Sequence, residues 1–253
     1  MLLEGKTAVI YGGGGSIGGA CARAFAREGA QVFLCGRTQE KLDSVADEIV
    51  SAGGTASTAI VDALDEAAVD RHATEVVREA GSLDVSMNVI THPYTHGTPL
   101  VELAVEDYMA PIEVAARTTF ITSKVAGRQM IEQGSGAILF FGGPGDRSGP
   151  ERDYLLGATQ AAFDLIESFR RRLSIELGPH GVRVVSLESG GVTDSLPEME
   201  GGQEIADLIA AQTLLGRTAT LEDVGNTAAF AASDQARSMT AATINVSAGA
   251  LID

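Results

Sequence analysis

The stretch Lys6-Thr7-Ala8-Val9-Ile10-Tyr11-Gly12-Gly13-Gly14-Gly15-Ser16-Ile17-Gly18 decides how this chain folds. A short apolar run ends in four glycines, and a helical pattern begins immediately afterwards. That order describes a first β-strand delivering the phosphates of a nucleotide to a helix N-terminus. Glycine lets the backbone turn tightly and approach a phosphate with no Cβ in the way. The helix end supplies free N–H donors and a partial positive charge.

Outward from this stretch, apolar β-branched runs recur with room for a helix between each pair. Strands are predicted near 6–11, 31–35, 56–61, 83–89, 136–141, 182–187 and 243–246. Helices are predicted near 16–29, 38–52, 65–80, 105–132, 155–178, 203–214 and 221–233. The alternation implies βαβ units. The fold class is therefore α/β: one doubly wound domain over residues 1–253, a seven-stranded parallel sheet with helices on both faces. The strands read as near-continuously apolar, as a sheet covered on both faces requires. Pro111 falls inside a helical stretch and marks a break or a fresh helix start. Residues 189–202 form the longest irregular segment and follow a strand's carboxyl end, so a substrate loop or lid is expected near 189–214.

Composition narrows the function. The chain has 253 residues, 45% of them apolar, enough for one large domain with a real core. Its net charge of −16 argues against a nucleic-acid partner. No window reaches the roughly 18 uninterrupted apolar residues that cross a bilayer, and no signal peptide is evident at the N-terminus. Cys21 and Cys35 read as free thiols of a cytoplasmic protein. Lysine occurs only at Lys6, Lys41 and Lys124.

With those features in place, the chain resembles the short-chain dehydrogenase/reductase family. Tyr11-Gly12 through Gly18 stands at the family's TGxxxGxG turn. Val61-Asp62, Leu83-Asp84-Val85 leading to Asn88, Met130 through Gly136, Glu176 through Val184, and Gly216-Arg217 with Glu222-Asp223-Val224 follow in the family's order. The resemblance implies a Rossmann-type fold and binding of a nicotinamide cofactor at Gly12, Gly14, Ser16, Ile17 and Gly18. It also implies Asp62 at the adenine amine, Asn88 after the fourth strand, and Gly190 and Thr193 at the nicotinamide end. Tyr11 replaces the family's Thr and would cover the strand end. Ser16 replaces a glycine and would cap the helix.

The choice of cofactor follows from charge. NAD-binding proteins place a carboxylate at the end of the second strand to take the ribose hydroxyls. Here that strand runs into Gly36-Arg37-Thr38, and Arg37 could pair with a 2′-phosphate. NADP is expected over NAD, with NAD still possible.

The resemblance also says where catalytic groups should stand, and this chain departs there. The family's common members use a tyrosine acid, a lysine four residues on, a serine and an asparagine. Alignment on neighbouring residues puts Leu156 at the tyrosine, Gln160 at the lysine, Gly143 at the serine and Ala115 at the asparagine. Tyr154 lies two residues early, but no lysine follows Lys124 anywhere. The replacement donors read from the sequence are Tyr94 and His96 after the fourth strand, with Tyr154 after the fifth. His92 belongs to the same polar segment, as do Asp146, Arg147, Ser148, Glu151, Arg152 and Asp153 to the next. The His92–His96 spacing lacks a third ligand, so no metal site is expected.

Two functions remain open. One is an NADP(H)-dependent oxidoreductase acting on a small, fairly apolar organic substrate, with a carbonyl or a conjugated double bond, by an atypical mechanism. Leu196, Met199, Ile205, Leu208 and Ile209 would line its lid. The other is a cofactor-binding protein without turnover, a sensor or partner subunit. The helices at 105–132 and 155–178 carry small residues, Ala115, Ala116, Gly157, Ala158, Ala161 and Ala162. In the family such helices pair, so a homodimer or homotetramer is expected. Arg170-Arg171-Arg172 reads as a solvated helix face or as salt bridges to Asp164, Glu167 and Glu176.

Overall fold

The computed structural model describes residues 1–94, 97–142, 157–195 and 202–252. The strands are β1 (Thr7–Tyr11), β2 (Gln31–Gly36), β3 (Thr55–Ile60), β4 (Val85–Asn88), β5 (Gly136–Gly142), β6 (Val182–Glu188) and β7 (Ala242–Asn245). The helices are α1 (Ser16–Arg27), α2 (Gln39–Ser51), α3 (Glu66–Ala80), α4 (Val105–Gln133), α5 (Gly157–Leu177), α6 (Gly202–Ala210) and α7 (Leu221–Ala232). All seven strands form one sheet in the order β3-β2-β1-β4-β5-β6-β7. Every pairing is parallel.

Side-chain alternation along the strands feeds two separate cores. Ala8 and Ile10 of β1 point to the face covered by α1, α2 and α7, with Phe25, Leu42 and Val224. Val9 and Tyr11 point to the other face, covered by α3, α4 and α5, with Val69, Met130 and Ile166. The central strands are buried on both sides, as the near-continuous apolar runs require. β3 differs: Thr55-Ala56-Ser57-Thr58-Ala59-Ile60 is half exposed, because it is an edge strand with one partner only.

Two local expectations are corrected, and a third, the salt bridge of the arginine run to Glu167, is found. Ser16 does not cap α1; Gly15 is the N-cap and Ser16 the first helical residue. Pro111 does not break the helix, since α4 runs on through it for 29 residues. Pro111 is itself buried, and apolar burial along α4 offsets the missing N–H. The arginine run does not share one environment. Arg171 and Arg172 are exposed, but Arg170 is only 3% exposed and pairs with Glu167 at 2.8 Å. Thr243 of β7 donates to the same carboxylate at 3.0 Å, which ties α5 to the sheet edge.

Arg183 on β6 fastens the opposite face. Its guanidinium donates to the carbonyls of Ala231, Ala232, Ser233 and Met239. The first three are carbonyls at the C-terminus of α7 and just beyond it, and Met239 lies on the segment leading to β7. At its N-terminus α7 is closed by a capping box between Thr220 and Asp223. Among the described residues no helix is long and apolar enough to cross a membrane.

Candidate functional site

The sheet order reverses between β1 and β4, and all strands point the same way. Their carboxyl ends therefore open a crevice at this switch point, where ligands of open α/β sheets bind. A cleft of about 470 Å³ occupies it. It is lined by Gly12, Gly14 and Gly15 after β1, Arg37, Thr38 and Lys41 after β2, and Asp62 after β3. Ile90, Thr91, His92 and Pro93 follow β4, and Val114 and Thr118 come from α4.

The glycine turn is built for close approach. The N–H groups of Gly12 and Gly13 donate to the Cys35 carbonyl at 2.9 and 3.1 Å, and Gly15 N–H donates to the Gly12 carbonyl at 3.0 Å. Gly12 has φ +89°, and a Cβ there would lie 2.8 Å from the Val89 carbonyl oxygen. A Cβ at Gly18 would run into the Gly12 carbonyl oxygen. α1 then starts with no side-chain cap and no acid in its first turn. Its N–H groups and dipole are thus left for an anion. The turn fits the phosphates of a dinucleotide.

A cationic corner lies beside it. Arg37 and Lys41 are exposed and line the cleft, and among the described residues neither is paired with a carboxylate. Thr38 is the N-cap of α2 but makes no side-chain cap bond. Asp62 is exposed and accepts from the Leu64 N–H at 3.0 Å, which shapes the turn into α3. Cys35 also lines the cleft, buried, with Sγ 3.4 Å from Nδ1 of His72. Burial pushes this thiol above its ordinary range and His72 below, so both are uncharged at neutral pH.

The β4 side carries fewer charges. Asn88 is buried, donates to Thr122 Oγ1 at 3.2 Å and accepts from Ile90 N–H at 3.0 Å. Its side chain thus clamps β4 to α4 and is not part of the cleft wall. Tyr94 is 53% exposed on the loop beyond. Ala115 is sealed in the core between α4 and the sheet. His92 is 7% exposed, and burial lowers its imidazole to about 4.

At the end of β6, a Cβ on Gly190 would strike Ala250, and the Thr193 hydroxyl lies 2.8 Å from that of Thr218. Both residues stand on the same carboxyl edge as the glycine turn, away from the cleft. Asp194 accepts from the first N–H of α7, Leu221, at 3.0 Å. Gln160 on α5 donates to Asp164 at 2.9 Å. His96, Gly143, Tyr154 and Leu156 lie outside the described residues, as do Asp146, Arg147, Ser148, Glu151, Arg152, Asp153, Leu196 and Met199.

Three residues were not chosen from the sequence. Lys41 sits four residues after Arg37, a spacing that returns it to the same corner. His92 was visible as one member of a polar loop, but nothing in the sequence showed it folded inward. Glu188 is a buried carboxylate at the end of β6, in register with Gly142 and Asn245. An acid closing an apolar strand was its signal.

Comparison with known proteins agrees with this geometry. The family model described as enoyl-(acyl carrier protein) reductase matches residues 13–250. The oxidoreductase asL5 of Sarocladium schorii is 33% identical over 98% of this chain and 96% of its own. The L-rhamnose 1-dehydrogenase (NAD(P)(+)) of Azotobacter vinelandii is 29% identical over 100% of this chain and 99% of its own. The solved short-chain dehydrogenase/reductase of Serratia marcescens superposes with a TM-score of 0.86 at 26% identity, covering 99% of both chains. The chain belongs to the short-chain dehydrogenase/reductase family of oxidoreductases.

Proposed function

We propose that this protein is an NADP(H)-dependent oxidoreductase acting on a small, fairly apolar organic molecule with a carbonyl or conjugated double bond. The observation that carries the cofactor assignment is the corner formed by Arg37, Thr38 and Lys41 beside the glycine turn. Two cations unpaired with any carboxylate among the described residues, and a hydroxyl that caps no helix, suit a 2′-phosphate, while a ribose diol would call for a carboxylate there. The turn at Gly12–Gly18 would hold the pyrophosphate, with Gly14, Ser16 and Ile17 at the helix end. Asp62 would face the adenine amine, and Gly190 and Thr193 the nicotinamide end. The cofactor, when bound, supplies the hydride; the chain supplies binding, orientation and exclusion of water.

The route is atypical. Ala115 is apolar and sealed, and the Gln160 amide is used along its own helix, so neither can take part in proton exchange. Tyr94, His96 and Tyr154 are the donors assigned to the site. The segment 189–214 acts as lid: its α6 carries exposed Leu208, and Ile209 packs against Gly191. The absence of all four usual catalytic residues, at 115, 143, 156 and 160, favours a second reading, a cofactor-binding sensor or partner subunit without turnover. NADPH consumption across enones, ketones and aldehydes separates the two. Turnover above the buffer rate supports the enzyme; tight NADPH binding with no turnover supports the sensor.

The assembly proposed is a homodimer or homotetramer through α4 and α5. Ala115, Ala158 and Ala162 are packed inside the chain, so these small residues do not form the contact. The outer face is instead Phe120, 51% exposed, with Ala116, Arg117, Leu165, Phe169 and Arg172. Light scattering at micromolar concentration tests it, a monomeric mass refuting the proposal. Two buried free thiols, Cys21 and Cys35, suit a reducing cytoplasm.

A further inference from the structure

His92 closes the β4 side of the cleft beside Ile90 and Pro93. Its ring centroid lies 6.0 Å from that of Phe163 on α5, with the planes at 58°. Phe163 in turn stands over the end of β5, where a Cβ on Gly142 would be 3.2 Å from its Cδ1. The imidazole is therefore fixed between two elements of the site, and it is 7% exposed.

A polar ring so placed would ordinarily be satisfied by the protein. Among the described residues no hydrogen bond reaches either nitrogen of His92. Nor are those nitrogens sealed away, as the unpartnered hydroxyls of Ser123 and Thr159 are. The ring itself lines the cleft. A molecule bound in the cleft can supply the missing partner.

The surroundings limit what that is. The charged residues among those described in the cleft wall, Arg37, Lys41 and Asp62, all follow β2 or β3. Around His92 the wall is Ile90, Thr91, Pro93, Val114 and Thr118. Burial alone holds the imidazole down to about 4, with no charged neighbour contributing. At neutral pH the ring is uncharged, with one N–H and one bare nitrogen. Such a ring brings no positive charge to a phosphate and suits an uncharged oxygen.

We propose that His92 is a substrate-binding catalytic residue whose ring N–H donates to the carbonyl oxygen of a small uncharged substrate seated against Phe163. The inference rests on the oxidoreductase reading above and names its substrate class. Exchange of tautomer lets the bare nitrogen accept from the hydroxyl of an alcohol product, so one side chain serves both forms.

The test uses the full-length protein with imidazole carbons labelled, with and without NADP+. The probes are trans-cinnamaldehyde and trans-β-methylstyrene, which shares the carbon skeleton but lacks the oxygen. The His92 resonance, assigned through His92→Asn, should move saturably with the aldehyde and stay still with the hydrocarbon. His92→Phe should weaken aldehyde binding by about 10-fold and NADP+ binding by less than about 2-fold. His92→Asn keeps an N–H donor and should retain most of the aldehyde affinity. Melting curves confirm that each variant folds. A still His92 resonance, an equal response to both probes, or an equal loss of NADP+ affinity in His92→Phe overturns the inference. Wild-type NADP+ affinity is measured first and separately. Its absence overturns the cofactor assignment, whereas intact NADP+ binding with a silent His92 overturns only this inference.

Discussion

Gly18 and Gly12 approach so closely that any Cβ on Gly18 would be driven into the Gly12 carbonyl oxygen. That carbonyl is already fixed, because it accepts from Gly15 N–H at 3.0 Å. Relief would have to come from moving α1 away from β1. Gly18→Ala should therefore lower stability by about 3 kcal/mol and weaken NADPH binding. Gly15→Ala is the comparison, since its Cβ would meet the same oxygen at 3.3 Å. Its cost should stay near 1 kcal/mol, mostly from the poorer cap. Urea unfolding of both variants checks the ordering; equal losses would show that the contact does not control the turn.

Arg37→Ala and Lys41→Ala should each weaken NADPH binding by about 10-fold or more and leave NADH nearly unchanged. Both cations are exposed, so the difference should shrink as salt rises. Calorimetry with both cofactors at two ionic strengths is the measurement. Equal losses for NADPH and NADH would sink the 2′-phosphate assignment.

The sheet was legible because the central strands announce themselves with apolar runs and helical periodicity falls between them. Strand β1 was read as 6–11 and is Thr7–Tyr11; β6 was read as 182–187 and is Val182–Glu188. What stayed hidden was which polar side chain a loop folds inward. His92 and Tyr94 are neighbours in one polar segment, yet one is 7% and the other 53% exposed. Arg170, Arg171 and Arg172 pose the same problem on a helix. A single hydrogen-bonded carboxylate, Glu167, brings one of the three inside. Periodicity reports apolar faces; it carries no signal for a polar group that is buried because a partner waits for it.

Arg183 predicts a stability effect unrelated to catalysis. Removing its side chain would leave the carbonyls of Ala231, Ala232 and Ser233 without their donor at the negative end of α7. Arg183→Ala should cost about 2–4 kcal/mol, with Arg183→Lys recovering only part, since one ammonium cannot span the set. Denaturant melts of the three proteins check it, and an unchanged midpoint in Arg183→Ala would refute it.

Acid should destabilise the protein before its carboxylates titrate. His92 is held at about 4 when folded and returns to about 6.5 when unfolded. The unfolded chain then binds more protons across that window. This contribution to stability is complete above pH 6.5 and is lost as pH falls, at about 1.4 kcal/mol per unit, the loss reaching roughly 3 kcal/mol by pH 4. Burial lowers His72 as well, against the opposing pull of Glu75 and Glu79, so it contributes in the same direction. In urea melts at pH 7 and pH 4.5, His92→Phe should show a flatter dependence than the parent. Identical slopes would mean that the imidazole is not resisting protonation.

Turnover, if it requires a protein acid, must find one outside the positions the family commonly uses. Leucine at 156 has no proton to give, and the Gln160 amide is held by Asp164. No lysine follows Lys124, so no ammonium is available to lower a tyrosine's pKa in the usual way. Tyr94, His96 and Tyr154 remain as donors on the two segments that follow β4 and β5. Changing the acting residue, as Tyr94→Phe, His96→Ala or Tyr154→Phe, should lower kcat by about 10²-fold with KM little altered. Joint replacement of Leu156→Tyr and Gln160→Lys should create weak carbonyl reductase activity where the parent has least. Steady-state rates with NADPH across the enone, ketone and aldehyde panel decide between the three. Activity that survives all three substitutions would leave the oxidoreductase standing and assign its proton to solvent or to another group.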